Sequence, residues 1–169
     1  LVNNAPKVLN LKEIIAEYLK HRFIVITRRT QFDLEKAEKR AHILQGYRIA
    51  LENIDRIIEI IRGSADGNTA REVLIEKYGF SDVQSRAILD MKLQRLTGLE
   101  REKIDAEYIE IEKYILELKD ILSHDSKIYD IIKKELIYLK EKYGDERKTV
   151  IENERMEILP EDLIKDESV

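Results

Sequence analysis

The sequence of 169 residues has no cysteine and no tryptophan, and its six glycines stand apart from one another. Without cysteine there is no disulfide, no thiol chemistry and no cysteine-ligated zinc. The three histidines, His21, His42 and His124, are too scattered to suggest a metal site, and isolated glycines do not form a phosphate-binding loop. The prolines are Pro6 and Pro160, so no residue between them breaks a helix as proline does.

Long apolar runs are also missing, since none approaches the ~20 residues that a membrane-spanning helix needs. No segment resembles a signal peptide. The net charge of -4 gives no overall basic signal, so nucleic-acid binding would depend on local patches. We expect a cytoplasmic protein with no membrane association. Because the chain begins with Leu1 rather than methionine, we also expect an internal fragment of a longer polypeptide.

What the sequence does contain favours long helices. Hydrophobic residues make up 43% and charged residues 38% of the chain, a balance typical of helical or coiled-coil proteins. Residues 1–10 are predicted to be an extended lead-in segment, because Pro6 disfavours a helical conformation at Ala5. Asn10 is the predicted N-cap of the first helix.

Residues 11–62 are predicted to form an outgoing helical arm, about 78 Å long if helical throughout. Its apolar residues recur at intervals of three and four, as Leu34, Ala37, Ala41, Leu44, Tyr47, Leu51, Ile54, Ile58 and Ile61. The strict alternation is interrupted between Leu44 and Tyr47, which predicts a local register shift near Gly46.

Residues 63–98 are predicted to form a small helical tip. The segment GSADGN from Gly63 is a break. Capping boxes then predict one helix from Thr69 to Gly79 and a second from Ser81. A third box at Thr97 starts the returning arm, residues 99–144, which ends at Gly144. Its apolar residues are Ile104, Tyr108, Ile111, Ile115, Leu118, Leu122, Ile128, Ile132, Leu136, Leu139 and Tyr143, with a break or kink within 123–126. Residues 145–169 form a polar, largely acidic linker.

The predicted fold is therefore all-α: a long antiparallel two-helix coiled-coil stalk with a small helical globular tip. Pairing the two arms buries both apolar seams. A compact helical bundle is the alternative.

The second helix of the tip has apolar residues on more than one side: Ala87, Ile88, Leu89, Met91, Leu93 and Leu96. One face is expected to pack on the first tip helix through Val73, Leu74 and Tyr78. A second copy of the chain is the economical partner for the rest, although the tip could also be a simple core.

The residues themselves suggest no catalytic constellation. Closely spaced carboxylates such as Glu110 and Glu112 are typical of a solvated helix face. The seam tyrosines Tyr47, Tyr108 and Tyr143 and the tip tyrosine Tyr78 are each predicted to be core or interface residues. A basic cluster on the first arm is compatible either with phosphate contact or with a salt-bridged surface. It consists of Lys20, His21, Arg22, Arg28, Arg29, Lys36, Lys39 and Arg40.

Three stretches resemble the family formed by the A subunits of bacterial DNA gyrase. They are VITRRTQFDLEKAEKRAHILQG from Val25, ILDMKLQRLTGLEREKI from Ile88 and KEKYGDERKTVI from Lys140. Together they span nearly the whole chain in the family's order, with Gln45 and Lys148 where glutamate and arginine are expected. The related topoisomerase IV protein shares the architecture, but the second and third stretches look more like gyrase.

The resemblance implies a type IIA topoisomerase, an ATP-dependent isomerase that cuts one DNA duplex and passes another through the break. This segment would be the stalk and the C-gate, the exit interface of a homodimer. The catalytic tyrosine of the family lies upstream, and no Arg-Tyr-Thr motif occurs here, so no catalytic residue and no metal ligand is carried over. No cofactor is implied for this segment, since ATP and magnesium would be bound by the gyrase B subunit. A DNA-wrapping domain would follow the linker.

The residues that would carry this role fall into three groups. The dimer interface is predicted to comprise Ile88, Leu89, Met91, Lys92, Gln94, Arg95 and Leu96. Contact with double-stranded DNA is predicted for Arg22, Arg28 and Arg29, and hinges for Gly46, Ser123 and Asp125. The competing interpretations are a generic coiled-coil dimerisation protein that pairs along its seams and a helical nucleic-acid-binding arm.

Overall fold

The computed structural model describes residues 2, 5–92 and 97–150 of the chain. Six α-helices account for most of this part, and it contains no strand, so the fold is all-α as predicted. The helices are α1 (Leu11–Glu52), α2 (Ile54–Gly63), α3 (Gly67–Tyr78), α4 (Asp82–Leu89), α5 (Gly98–Ser123) and α6 (Asp125–Tyr143). No helix among the described residues is long and apolar enough to cross a membrane.

Helix α1 begins where the sequence predicts. The backbone N–H of Glu13 donates to Asn10 Oδ1 at 3.0 Å, and the N–H of Asn10 donates to Glu13 Oε2 at 2.9 Å. This reciprocal capping box satisfies two backbone donors that have no partner inside the helix. The helix then continues unbroken through Gly46, so the register shift predicted there does not interrupt it.

The interruption comes instead at Asn53, which leaves the helical conformation with φ -116° and ψ 29°. Its side-chain Nδ2 donates to the carbonyl oxygen of Ile49 at 3.0 Å, which satisfies one of the last carbonyls of α1. Because the chain changes direction here, α2 buries Ile57 at 1% exposure and leaves Ile61 at 38%. The predicted continuation of the seam through Ile54, Ile58 and Ile61 is therefore wrong.

Helices α1 and α5 pair in antiparallel sense, because contacts that advance along α1 retreat along α5. Glu38 pairs with Lys119, with 2.8 Å between the charged atoms. Thirteen residues later, Leu51 accepts a hydrogen bond from Arg101. Between these points the small side chains of Ala37 and Ala41 pack with Ile115 and Leu118.

The same face of α1 continues to the first half of α6, where Ile26 is buried with Ile128 and Ile132. Along residues 34–51 and 104–132 these contacts follow the predicted seams, and Ile26 extends the buried face of α1 beyond the predicted seam. The coiled-coil geometry of the pair stays a prediction.

The predicted break within 123–126 is present at His124, which separates α5 from α6 with φ -135° and ψ 106°. Asp120 on α5 bridges the break by accepting a hydrogen bond from Lys127 Nζ on α6. That bond holds the pKa of the Asp120 carboxyl below its usual value. The two helices are thus tied across their junction by one ion pair.

The tip helices differ from the prediction at their ends. The N-cap of α3 is Asp66 rather than Thr69: the Asp66 side chain accepts the N–H of Thr69 at 2.7 Å, which lowers the pKa of that carboxyl. This cap opens the helix three residues earlier than a Thr69 cap would. Thr97 is the N-cap of α5, but its side chain makes no capping hydrogen bond to the backbone of that helix. The third capping box therefore does not form.

Two other tip signals are confirmed. Gly79 ends α3 with φ 68°, a left-handed conformation that glycine adopts without strain. Ser81 opens α4 with a reciprocal capping box to Gln84. However, α4 ends at Leu89, so the predicted extension of this helix to residue 96 is wrong as far as residue 92. Asp90 follows as the C-cap, and its backbone N–H donates to the carbonyl oxygen of Arg86 at 2.9 Å.

The tip and the end of the α1–α5 pair share one hydrophobic core. Its buried residues come from five helices and the α3–α4 turn: Leu44, Tyr47, Ala50, Leu51, Ile57, Leu74, Phe80, Ile88 and Ile104. This sharing compensates for the small size of the tip, which could not supply a robust core alone. We call this set the shared core.

Ser85 on α4 is fully buried, and its hydroxyl has no hydrogen-bond partner among the described residues. A buried unpaired hydroxyl carries a desolvation cost, and alanine is the better helix former. We expect Ser85→Ala to raise the free energy of unfolding by about 1 kcal/mol, measured by urea denaturation. The exposed Ser126→Ala is the control and should change it by less than about 0.5 kcal/mol. A destabilised Ser85→Ala variant would mean that the hydroxyl has a partner.

Residues 135–150 belong to a second compact unit that starts at Glu135. Leu136, Leu139 and Tyr143, which the sequence places on the returning seam, are 38%, 46% and 65% exposed. Their predicted burial is therefore wrong for the described residues. Within this unit Lys142 donates to the Tyr138 hydroxyl at 3.2 Å, and this bond raises the pKa of Lys142.

Candidate functional site

The surface of interest lies around α4 and the residues that follow it. Ile88 is 3% exposed and belongs to the shared core, so its side chain offers little to a second copy of the chain. Leu89 and Met91 are only partly buried against that core, and Lys92 is exposed. The other predicted interface residues, Gln94, Arg95 and Leu96, lie outside the described residues.

Two exposed apolar side chains near this surface escaped the sequence analysis. Val83 is 55% exposed on α4, and Leu99 is 73% exposed in the first turn of α5. Each is the second residue of its helix, within a segment whose sequence pattern indicates a capping box and no exposed apolar surface. On an ideal helix Val83 and Ala87, four residues apart, lie on neighbouring turns of α4. Ala87 is packed against the shared core, so Val83 is the apolar residue of this pair that remains exposed.

The polar contacts of α4 hold it against both neighbouring helices. Asp82 pairs with Arg71 on α3 (Oδ1 to Nη1, 3.2 Å) and with Arg86 on α4 itself (Oδ2 to Nε, 2.9 Å). On the other side, Gln84 Nε2 donates to the backbone carbonyl of His42 on α1 at 2.8 Å. Helix α4 is thus fixed on two sides while its third side faces outward.

The α1–α5 pair is flanked by ion pairs, one of which uses Arg40 of the predicted basic cluster. Arg40 binds Glu107 through two parallel hydrogen bonds of 2.7 and 2.8 Å. Arg48 Nε lies 2.6 Å from Asp105 Oδ1, and its guanidinium carbon lies 4.8 Å from the centre of the Tyr108 ring. Arg40 therefore serves the helix pairing, as the salt-bridged interpretation of the cluster predicted.

The three predicted DNA-contact residues are all on α1 but do not share one face. Arg22 and Arg29, seven residues apart, lie on the same side of the helix, whereas Arg28 is displaced from Arg29 by about 100° around the axis. Arg28 and Arg29 are exposed and Arg22 is half-buried. A single duplex lying along one side of α1 would therefore meet at most two of them.

The hinge candidates have different surroundings. Gly46 is buried inside the continuous helix α1, where Gln84 fills the space beside it. Ser123 and Asp125 flank the interruption at His124. Of the three candidates, Ser123 and Asp125 therefore lie at a break in the helix backbone, and their role as a hinge stays a prediction.

The surroundings of the Tyr108 side chain on α5 suit a packed residue rather than a reactive one. Desolvation raises the pKa of the Tyr108 hydroxyl, and Glu112 raises it further, so this tyrosine stays protonated rather than activated as a nucleophile. Among the described residues no group of three histidine, aspartate or glutamate side chains could hold a metal ion.

Fold and site together define a class: an all-α module in which two antiparallel helices share a core with a small helical tip that presents apolar side chains outward. Within that class, the chain belongs to the family of DNA gyrase and topoisomerase IV A subunits, whose profile matches residues 1–137.

Relatives within the family match over the whole chain. It is 57% identical over 169 residues to the DNA gyrase A subunit of Clostridium acetobutylicum, covering 100% of this chain and 20% of that protein. It is 55% identical to the DNA gyrase A subunit of Halalkalibacterium halodurans, covering 100% and 20%. For the DNA gyrase A subunit of Staphylococcus aureus the identity is 48% over 170 residues, covering 100% and 19%. The chain thus spans about a fifth of the length of these relatives.

Proposed function

We propose that this chain is the C-gate of a DNA gyrase A subunit, the homodimerisation module through which a transported duplex leaves the enzyme. The complete enzyme would be a cytoplasmic, ATP-dependent type II topoisomerase that supercoils DNA by passing one duplex through a double-strand break in another. ATP and magnesium would be bound by the gyrase B subunit. The chain described here would supply no catalytic residue and would be inactive alone.

The placement of α4 is the observation that carries this proposal. One side of the helix contributes Ile88 to the shared core, while Val83 remains 55% exposed and Leu89 and Met91 are only partly covered. An apolar surface backed by a rigid core and surrounded by charged residues is typical of a protein–protein interface. In a homodimer with twofold symmetry, the same surface of the second copy would cover it.

A dimer formed along the helix seams, the generic coiled-coil alternative, is disfavoured by the packing of the single chain. The apolar faces of α1 and α5 already cover one another through Ala37, Ala41, Ile115 and Leu118. A second copy could reach those side chains only by separating the two helices. The tip surface needs no such rearrangement.

Sedimentation equilibrium tests the proposal. We expect the wild-type chain to have twice the 19.9 kDa mass of one copy. Met91→Glu would place a charge in the interface, and we expect it to raise the dimer dissociation constant at least about thirtyfold, the ~2 kcal/mol of a typical hot-spot residue. Helicity measured by circular dichroism should not change, because Met91 lies beyond the end of α4.

Leu116→Glu is the matched control, since Leu116 is 66% exposed on α5 and lies outside the tip. We expect this variant to remain dimeric. A wild-type monomer at all concentrations, or a dimer lost in Leu116→Glu but kept in Met91→Glu, would contradict the proposal.

A nucleic-acid-contacting arm is the second candidate, favoured by the seven-residue spacing that places Arg22 and Arg29 on one side of α1. Such an arm would bind a duplex with an affinity that falls steeply with salt concentration, as phosphate contacts do. Micromolar or tighter salt-dependent binding by a monomeric chain would favour this function over the C-gate.

A further inference from the structure

Gln84 is a buried polar side chain at the crossing of α4 and α1, 6% exposed. Its Oε1 accepts the backbone N–H of Ser81 at 3.0 Å, and its Nε2 donates to the backbone carbonyl of His42 at 2.8 Å. That carbonyl is the one to which the N–H of Gly46 bonds in a regular α-helix. Gln84 therefore extends from α4 to the backbone of α1, and both the oxygen and the nitrogen of its side-chain amide have a hydrogen-bond partner.

The absence of a side chain at Gly46 makes this contact possible. A Cβ atom at position 46 would lie 2.9 Å from Gln84 Cγ and 3.0 Å from Gln84 Cβ, closer than carbon atoms in proteins approach. Glycine in the interior of a helix costs roughly 0.5–1 kcal/mol relative to alanine. The cost is offset here because the gap at Gly46 admits the side chain of Gln84.

His42 completes the contact from the same helix. Its Nε2 lies 2.7 Å from Ser81 Oγ, and its Nδ1 lies 3.5 Å from the Gln84 amide nitrogen. If Nδ1 accepts from that amide nitrogen, the ring proton is on Nε2 and can donate to Ser81 Oγ. We refer to His42, Gly46, Ser81 and Gln84 together as the Gln84 contact.

The Gln84 contact fits only one position of α4 along α1. A shift by one helical turn, about 5.4 Å, would bring Gln84 opposite His42 or Ala50, which both carry a Cβ atom. The Cβ atom would keep the buried amide out of hydrogen-bonding reach of the equivalent carbonyl on that turn, at a cost of about 1–3 kcal/mol. Apolar packing alone is less discriminating, and a buried polar group is a known means of fixing helix register.

We propose that the Gln84 contact is a positioning device that sets the register of α4 on α1 and thereby the geometry of the tip surface formed by Val83, Leu89 and Met91. The consequence for dimerisation depends on the proposed C-gate function, whereas the register itself does not. Gln84 faces α1, so it acts on a partner only through the placement of α4.

Gln84→Met tests the register because it keeps the length and volume of the side chain and removes both amide hydrogen bonds. The chain has no cysteine, so nitroxide labels can be attached at Lys39→Cys on α1 and Arg86→Cys on α4, both exposed. We expect a narrow interspin distance distribution in the otherwise unchanged chain and a broadened or shifted one with Gln84→Met. The exposed Gln45→Met is the control and should leave the distribution unchanged.

The dimer dissociation constant, measured without labels, tests the consequence. We expect Gln84→Met to raise it at least about tenfold with helicity retained and Gln45→Met to leave it unchanged. Gly46→Ala should act like Gln84→Met, and the double variant should be no worse than either alone, because both remove the same contact.

An unchanged distance distribution in Gln84→Met would overturn the positioning role. So would an unchanged dissociation constant in a chain that does dimerise. A wild-type monomer would contradict the C-gate proposal alone, and the distance measurement would still decide the register.

Discussion

Replacing Leu44 with alanine is expected to lower the free energy of unfolding by about 2–5 kcal/mol, the range for large-to-small changes in a packed core. Leu44 has no exposed surface, and it lies in the shared core with residues of every helix from α1 to α5. Its truncation would leave a cavity at the point where the tip meets the helix pair. Both parts should therefore lose stability in one transition.

Urea denaturation followed by circular dichroism measures this loss. The experiment is best done in the Met91→Glu background, so that dimerisation does not add to the apparent stability. Leu116→Ala is the control, because Leu116 is 66% exposed on α5 and its truncation should change the free energy by less than about 0.5 kcal/mol. Equal effects of the two substitutions would show that the tip and the pair do not share a core.

Lys36→Pro is the second change for which a large effect is expected. Proline in a helix interior removes a backbone hydrogen bond and clashes with the carbonyl four residues earlier, which costs about 3 kcal/mol or more. Lys36 is exposed in the middle of α1, so little side-chain packing is lost with it. The kink would also displace Ala37, which packs on α5.

The control for this change is Leu11→Pro. Leu11 is the first residue of α1 and is 73% exposed, and proline is well tolerated at the first position of a helix. Thermal unfolding and helicity of the two variants should differ clearly, with Leu11→Pro close to wild type. Similar stability of both variants would mean that α1 is not one continuous helix around residue 36.

Sequence reasoning succeeded where the determining signals are local. The cap at Asn10, the cap at Ser81 and the glycine that ends α3 all act within four residues of themselves. Between residues 34 and 51 the apolar periodicity also matched the buried face, since one helix packed on one partner has one apolar stripe. The N-cap of α3 was predicted at Thr69 and lies at Asp66; aspartate and threonine both cap well, so residue type alone does not distinguish them.

Sequence reasoning failed where contacts between residues far apart in the chain determine where a helix ends or how two helices pack. No glycine or proline marks Asn53 as a break; the last turn of α1 is closed there by the Asn53 side chain and by Arg101, which donates to the carbonyl of Leu51 from fifty residues away. The Gln84 contact likewise joins residues 42 positions apart. From sequence alone Gln84 is only the fourth residue of the capping box that Ser81 opens, a role that it also fulfils.

The helix pair has a mechanical asymmetry. On one side α1 is a single piece of 42 residues; on the other, α5 and the start of α6 meet at His124, where the backbone leaves the helical conformation. The regular helical hydrogen bonds that resist bending are interrupted at His124, so we expect bending of the pair to begin there, as predicted for the hinge candidates Ser123 and Asp125. Under load, we expect the continuous helix α1 to bend elastically and to return the pair to its resting form when the load is removed.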